Sequence, residues 1–80
     1  MQFCNDKENF LKKIGITLKN IRVKQNKSQE EIALQVGVDR SYISLLEKGK
    51  RNPTIYTLCK ICSALGVSIL DLWRYLNKNE

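Results

Sequence analysis

The stretch that decides the fold is SQEEIALQVGVDRSYISLLEKG, residues 28–49. Ser28 is followed three residues later by Glu31, which is the capping-box pattern at the start of a helix. Gly37 can adopt the left-handed conformation that ends a helix abruptly, and Asp39 then stands where a second helix would begin. A second glycine closes the stretch. The pattern therefore predicts two short helices joined by a tight turn.

The second of these helices has two faces of different composition. In a helical projection, one side carries the apolar side chains of Tyr42, Ile43 and Leu46. The other side carries Arg40, Ser41, Ser44, Leu45 and Lys48. Such a face suits the DNA major groove, because arginine can donate two hydrogen bonds to guanine and serine can pair with several base edges. An apolar side chain such as Leu45 can contact a thymine methyl group, so Leu45 is also a candidate base-reading residue. A solvated helix face that includes an arginine by chance is the alternative.

Before this stretch, the residue pattern predicts one long helix, from about Asp6 to Gln25. Its apolar residues recur at spacings of four, four and three, which places them on one stripe. The stripe consists of Phe10, Ile14, Leu18 and Ile21. Gly15 interrupts the helix, and a glycine there costs about 1 kcal/mol relative to alanine. We therefore expect Gly15 to mark a close contact between helices.

The chain after this stretch predicts two further helices and no strand. Pro53 cannot continue the preceding helix, and Thr54 can cap the fourth one. The apolar face of the fourth helix comprises Ile55, Leu58, Ile61, Cys62 and Leu65. Ser68 and Asp71 repeat the capping pattern and begin the fifth helix. The fold class expected is all-α, with five helices.

Positive charge is concentrated in the middle of the chain. The 80 residues include 14 basic and 8 acidic ones, a net charge of +6. Residues 10–60 alone carry eleven basic and four acidic residues, a net charge of +7. A chain of this length forms a single domain, residues 1–80. Its charge favours a polyanionic partner such as nucleic acid, and a lysine-rich solvated surface is the alternative.

The cysteines do not indicate a disulfide framework, since Cys4, Cys59 and Cys62 are odd in number. Cys59 and Cys62 form a C-x-x-C pair, but the chain has no histidine to complete a zinc site. We interpret the pair as two small apolar residues on one helical face; redox or metal chemistry is the alternative. No nucleophile–base pair is present either, so no enzymatic activity, cofactor or small-molecule ligand is expected.

The sequence offers no signal for membrane insertion or secretion. No apolar run approaches the ~20 residues that cross a bilayer. The N-terminal residues MQFCNDKENF lack a basic segment followed by an apolar one. We therefore expect a cytoplasmic location and no membrane partner.

Two segments, SQEEIALQVGVDRSYISLLEKGKRNPT and LCKICSALGVSILDL, resemble the lambda-repressor/Cro-like (Xre-type) helix-turn-helix family. The resemblance covers about residues 15–73. It implies a five-helix lambda-repressor-like domain whose helix-turn-helix lies at about residues 28–49. Within the family, D-R-S-Y-I-S and the trailing R-N are similar to the controller proteins of restriction–modification systems. The function implied is that of a DNA-binding transcription regulator that also regulates its own gene.

The resemblance also implies roles for individual residues. The positions matching base-reading residues are Arg40, Ser41 and Ser44. The positions matching residues that contact the DNA backbone are Gln29, Tyr42, Arg51 and Asn52. Arg22 and Glu47 match a partly buried ion pair that ties the first helix to the third.

One feature follows from the residues themselves, and a second is a departure from the pattern of the family. A cationic cluster follows the recognition helix and is suited to binding phosphates. It consists of Lys48, Lys50 and Arg51. Leu45 stands on the outer face, where many phage repressors carry a polar base-reading residue. We therefore expect narrower direct readout here, with a contribution from DNA shape.

The fifth helix, about residues 68–77, carries more apolar side chains than one small core can hide, which predicts a dimer interface. The expected interface residues are Ile69, Leu70, Trp73, Tyr75 and Leu76. Because one recognition helix reads only a few base pairs, we expect a homodimer on an inverted-repeat operator of double-stranded DNA. Two alternatives are an antitoxin that holds a toxin and represses its own operon, and a phage-type repressor.

Overall fold

The computed structural model describes residues 6–78, which form five helices and no strand. The helices are α1 (Lys7–Lys24), α2 (Gln29–Val36), α3 (Arg40–Glu47), α4 (Ile55–Ala64) and α5 (Ile69–Lys78). The predicted all-α class with five helices is confirmed. Within these residues no single helix is both long and apolar enough to span a bilayer; α4 and α5 reach that length and composition only together, as a pair bent by 93°.

Local sequence signals determine where most helices begin. Ser28 Oγ accepts a hydrogen bond from the Glu31 amide at 3.0 Å, and the Glu31 carboxylate accepts one from the Ser28 amide at 2.8 Å. This reciprocal capping box satisfies two amides that a helix start leaves unpaired. Ser68 and Asp71 repeat it at α5. Asp39 differs, since it precedes α3 without a side-chain capping bond.

Gly15 allows α1 to pass very close to the end of α3. A Cβ atom at this position would lie 2.5 Å from the Leu46 carbonyl oxygen and 2.6 Å from the Glu47 carbonyl oxygen. Both distances are far shorter than van der Waals contact, and backbone atoms cannot turn aside as a side chain can. The close helix contact predicted from this glycine is confirmed. Gly49, with φ of 76°, fits in a similar way against the backbone of Lys12.

The core is assembled from the apolar stripes of all five helices. Helix α1 packs on α3 and α5, and α2 packs on α3 and α4. Burying each large aliphatic side chain contributes about 1.5–3 kcal/mol. The predicted stripe of α1 faces this core, although Phe10 is only partly buried. The core residues are Ile14, Leu18, Ile21, Ile32, Ala33, Val36, Ile43, Leu46, Leu58, Ile61, Cys62, Leu65, Leu72 and Leu76.

Three predictions about apolar residues are wrong. Ile55 does not join the buried face of α4; it is 72% exposed, because it stands in the first turn at the edge of that face. Leu76 does not lie at an interface. It is 2% exposed, because it follows Leu72 by four residues and shares its inward side. Cys59 is exposed while Cys62 is buried, since residues three apart differ in direction by about 60° on a helix.

The environment of Cys62 makes its thiol unreactive. Burial raises the pKa of the Cys62 thiol to about 11, and the neighbouring Cys59 adds a smaller upward effect. The thiol therefore stays protonated at neutral pH, and a protonated buried thiol is a poor nucleophile and metal ligand. Among residues 6–78 no group of three or more potential metal-ligating side chains is placed to hold an ion. Packing is the role that this position supports.

Candidate nucleic-acid interface

A turn at residues 37–39 fixes the orientation of α3 on α2. Gly37 adopts the left-handed conformation with φ of 85°. The amides of Gly37 and Val38 both donate to the Ala33 carbonyl oxygen, at 2.8 and 3.0 Å. Val38 packs against the core and anchors the turn. Two short helices joined in this way have helix-turn-helix geometry, in which the second helix can enter a DNA groove.

The predicted separation of two faces on α3 is present. Ile43 and Leu46 are buried, and Tyr42 is partly buried against the core. Arg40 and Ser41 are exposed in the first turn of the helix. The first turn is the part of a recognition helix that usually contacts base edges. Arg40 and Ser41 are therefore accessible in that turn, and their base-reading role stays a prediction.

Ser44 and Leu45 are less accessible than the projection indicates. Both are half-buried rather than fully exposed. The Leu45 carbonyl oxygen accepts hydrogen bonds from the Lys48 and Lys50 amides, at 3.1 and 2.9 Å. The chain therefore folds back over the end of α3 beside these residues. Only part of each side chain is open to DNA, and their base-reading role stays a prediction.

The predicted ion pair between Arg22 and Glu47 links α1 to the end of α3. Arg22 Nε donates to Glu47 Oε2 at 2.6 Å, and Arg22 Nη2 donates to Glu47 Oε1 at 3.0 Å. Their side chains are only 11% and 5% exposed. Arg22 Nη1 also donates to the Lys27 carbonyl oxygen at 2.7 Å. Such a two-bond arginine–carboxylate pair fixes geometry as well as charge.

Gln29 lies between this ion pair and the exposed arginine of α3. Its Nε2 donates to Glu47 Oε1 at 2.9 Å, and its Oε1 accepts from Arg40 Nη1 at 3.2 Å. It is half-buried in the first turn of α2, where free amides attract anions. A phosphate contact at this position stays a prediction. The link to Arg40 is a feature that the sequence did not indicate.

The predicted cationic cluster is exposed at the end of α3. Its members, together with the neighbouring Asn52, are exposed in the loop before α4. These residues are Lys48, Lys50, Arg51 and Asn52. Lys12 is also exposed, and its backbone lies directly against Gly49, in the loop that carries the cluster. Sequence analysis missed Lys12 because this contact depends on how α1 packs on α3.

Not every basic residue in the positive segment is available to DNA. Lys27 Nζ donates to the Ala64 carbonyl oxygen at 3.0 Å, and Gln25 Nε2 donates to the Leu65 carbonyl oxygen at 2.5 Å. Both contacts satisfy carbonyl groups that the end of α4 leaves unpaired. A lysine at this place also interacts favourably with the negative end of the helix dipole. Lys27 therefore stabilises the fold.

The exposed apolar residues of α5 lie on two different flanks. Ile69 and Trp73 border an apolar groove that also includes Pro53 and the exposed Ile55. Tyr75 faces a separate cavity on the α1 side. The apolar surface is defined here as Pro53, Ile55, Ile69, Leu70 and Trp73. Sequence analysis missed its two members before α5, because they come beside α5 only in the folded chain.

Comparison with known proteins defines the class to which this fold and this face belong. A family model described as helix-turn-helix matches residues 18–72, so the chain belongs to the helix-turn-helix family. Its relatives include the control protein C.MunI of Mycoplasma sp., which is 39% identical over 67 residues, covering 82% of this chain and 90% of that protein. The resemblance to restriction–modification controller proteins is confirmed by this relative together with the solved structures of such controllers.

Solved structures give the same result. The restriction–modification controller protein C.AhdI from Aeromonas hydrophila superposes with a TM-score of 0.75 at 35% identity, over 78% of this chain and 94% of that one. The controller protein C.Esp1396I, solved as a tetramer in complex with its natural 35 base-pair operator, superposes with a TM-score of 0.78 at 37% identity. That match covers 85% of this chain and 90% of the controller.

Proposed function

We propose that this protein is a non-enzymatic transcription regulator that binds double-stranded DNA sequence-specifically, as a homodimer on an inverted-repeat operator. The observation that carries the proposal is that α3 exposes polar side chains on one side and buries apolar side chains on the other. Arg40 and Ser41 are exposed in its first turn, while Ile43 and Leu46 are buried on the opposite side. A helix held in this way can enter the major groove without any rearrangement of the core.

The chemistry of the two contact regions differs. In the first turn of α3, Arg40 can donate two hydrogen bonds to guanine O6 and N7, and Ser41 can pair with a neighbouring base edge. The exposed cations at the end of α3 can neutralise phosphates and release counterions, which adds affinity without sequence preference. These cations are Lys12, Lys48, Lys50 and Arg51. Specificity and affinity are therefore assigned to separate groups.

The apolar surface supports the proposed homodimer. Large apolar side chains grouped on one side of a small domain usually mark a protein interface. A two-fold pair places two recognition helices on half-sites about 34–36 Å apart, one turn of DNA. Leu76, although expected at this interface, is not part of the proposal because it is buried in the core. Tyr75 is assigned to the other flank of α5.

The similarity to control proteins supports a more specific role. We assign this protein to the control of a restriction–modification system, with binding upstream of its own gene. Footprinting of that upstream DNA tests the assignment. The expected result is a protected inverted repeat; a footprint that appears only beside unrelated genes would contradict autoregulation while leaving sequence-specific DNA binding intact.

The base-reading role of Arg40 is tested by selecting binding sites from random-sequence DNA duplexes. Arg40→Ala is expected to lose about 1–3 kcal/mol of discrimination at one base pair of each half-site, the value of a two-bond arginine–guanine contact. The matched control is Arg74→Ala, which removes an exposed arginine of α5 and is expected to keep the selected sequence unchanged. Equal preferences in wild-type protein and Arg40→Ala would refute the role.

A further inference from the structure

Glu47 is buried, yet it is connected to the DNA-facing side of the molecule. It is the only charged residue that the structure buries within residues 6–77. Its carboxylate accepts three hydrogen bonds, two from Arg22 and one from Gln29 Nε2. The third bond does not involve α1, because the two bonds from Arg22 make the polar link between α1 and α3. Its effect falls on the orientation of the Gln29 side chain.

The orientation of the Gln29 amide decides whether its oxygen or its NH₂ group faces the Arg40 guanidinium. A primary amide has one donating end and one accepting end. Because the Glu47 carboxylate can only accept, the donating end of Gln29 turns inward and the accepting oxygen turns outward. Arg40 Nη1 then donates to that oxygen at 3.2 Å. With the amide reversed, its NH₂ group would face the Arg40 guanidinium and its oxygen would face the carboxylate, and both contacts would be repulsive.

From Arg40 through Gln29 to Glu47, both hydrogen bonds are therefore donated in the same direction. Arg40 donates to Gln29, and Gln29 donates to Glu47, which Arg22 holds in place from the other side. Arg22 is in turn held by the Lys27 carbonyl oxygen. Hydrogen bonds arranged head to tail strengthen one another, and supporting contacts of this kind keep a binding side chain in its productive orientation.

We propose that Glu47 is a positioning residue for base readout: it sets the Gln29 amide so that Gln29 holds the Arg40 guanidinium ready before DNA binds. The inference rests on the proposed function, since it requires that Arg40 reads a base. A flexible arginine loses rotational freedom when it binds, and holding it beforehand reduces that loss. Glu47 thus contributes to specificity without touching DNA.

A purely structural ion pair has different consequences. If Glu47 only ties α3 to α1, its replacement lowers the stability of the fold and weakens binding to every duplex by the same factor. If it positions Arg40, discrimination falls as well. The informative quantity is therefore the dissociation constant for an altered duplex divided by that for the selected duplex. The selected duplex is the site that wild-type protein selects from random-sequence DNA. The altered duplex differs from it at the base pair where Arg40→Ala loses its preference.

The decisive experiment exchanges the acid and the amide. Glu47→Gln cannot accept all three hydrogen bonds, and it should reduce the ratio about 2- to 12-fold, the value of one net hydrogen bond. The double variant Glu47→Gln/Gln29→Glu rebuilds the chain of donors, because the new residue 29 accepts from both Arg40 and residue 47. It should restore the wild-type ratio, although the added negative charge near DNA lowers affinity for both duplexes.

A second variant keeps the test valid if Glu47→Gln does not fold. Gln29→Leu leaves the ion pair with Arg22 intact, and it should reduce the ratio to the same extent. In protein that already carries Arg40→Ala, Gln29→Leu should not reduce the ratio further, since its effect on the ratio depends on Arg40. Circular dichroism and thermal melting of each variant establish that the ratios refer to folded protein.

The outcomes separate this inference from the proposed function. If Arg40→Ala reduces the ratio while Gln29→Leu and Glu47→Gln leave it unchanged, the positioning role of Glu47 is refuted and base reading by Arg40 stands. A loss that Gln29→Leu causes equally with and without Arg40 also refutes it, because Gln29 would then act directly on DNA. If Arg40→Ala changes the preference at no base pair, the proposed reading role fails and the inference fails with it.

Discussion

Helices α3 and α5 bury similar aliphatic side chains, but α3 exposes polar and cationic residues whereas α5 exposes apolar ones. Each is short, and each turns two large aliphatic side chains inward, Ile43 and Leu46 in α3 and Leu72 and Leu76 in α5. The exposed side of α3 begins with an arginine and a serine and ends beside a group of cations. The exposed side of α5 is apolar on the flank that carries Ile69.

The difference indicates which kind of partner each helix can bind. Exposed cations around a rigid polar helix suit a polyanion, because counterion release drives that association. Exposed large apolar side chains suit another protein surface, since water is displaced from both. The end of α3 is also held in place by the Gly15 contact and by the Glu47 ion pair. The three predictions below test one part of this comparison each.

The largest effect is expected where α3 is held against α1. Gly15→Val places a Cβ atom and two methyl groups against the carbonyl oxygens of Leu46 and Glu47, where even a Cβ would lie at 2.5–2.6 Å. Because backbone atoms resist displacement, we expect a loss of about 3 kcal/mol in the free energy of unfolding. Chemical denaturation followed by circular dichroism measures it.

The matched control for this substitution is Asn20→Val, at an exposed position of the same helix. Surface substitutions away from special contacts usually change stability by less than about 0.5 kcal/mol. Similar losses in both variants would mean that valine in α1, rather than the contact with α3, causes the effect.

The next effect concerns the apolar surface of α5. Ile69→Asp should raise the dissociation constant of the homodimer about 30-fold or more, which corresponds to about 2 kcal/mol, because an unpaired charge would be buried at its centre. An aspartate in the first turn of a helix is favourable, so the monomer should stay folded. Sedimentation velocity over a range of concentrations measures the dissociation constant.

Tyr75→Ser provides the comparison on the other flank of α5 and is expected to leave the dimer unchanged. If Tyr75→Ser dissociates the dimer as strongly as Ile69→Asp does, the interface extends to the α1 side. A dimer that resists both substitutions would place the interface on another part of the molecule.

The smallest effect concerns the cations at the end of α3. Lys50→Ala should weaken binding to all duplexes alike and reduce the slope of log affinity against log salt by about one unit per protomer, the value of one lost phosphate contact. Arg74→Ala removes an exposed charge from α5 and should leave the slope unchanged. A slope that Lys50→Ala does not alter would exclude Lys50 from phosphate binding.

The sequence predicted features that depend on near neighbours in the chain. The capping box of Ser28 and Glu31, the glycine turn before α3 and the inward side of α3 all follow from spacings of three or four residues. For the same reason the apolar periodicity of α1 could be assigned. Leu76 could also have been assigned to the core from its spacing to Leu72, but the high apolar content of α5 favoured an interface.

Other features depend on residues that are distant in the chain. The apolar surface joins Ile55 to Ile69 and Trp73, across the whole of α4. The backbone of Lys12 lies beside the loop of the cationic cluster only because Gly49 fits against it. The bond between Gln29 and Arg40 requires the turn to bring the starts of α2 and α3 together. None of these contacts can be deduced from the spacing of residues in the sequence.

The sequence by itself therefore determined the five helices, their order and the polar face of α3, because capping, glycine geometry and helical periodicity act over a few residues. The family followed from the resemblance of two segments to known helix-turn-helix proteins. Only the tertiary structure decided how far Leu45 is exposed, on which flank of α5 the apolar surface lies, and that Glu47 is linked to Arg40 through Gln29. The physical reason is that burial and hydrogen-bond partners are set by packing between helices, at distances that sequence spacing does not encode.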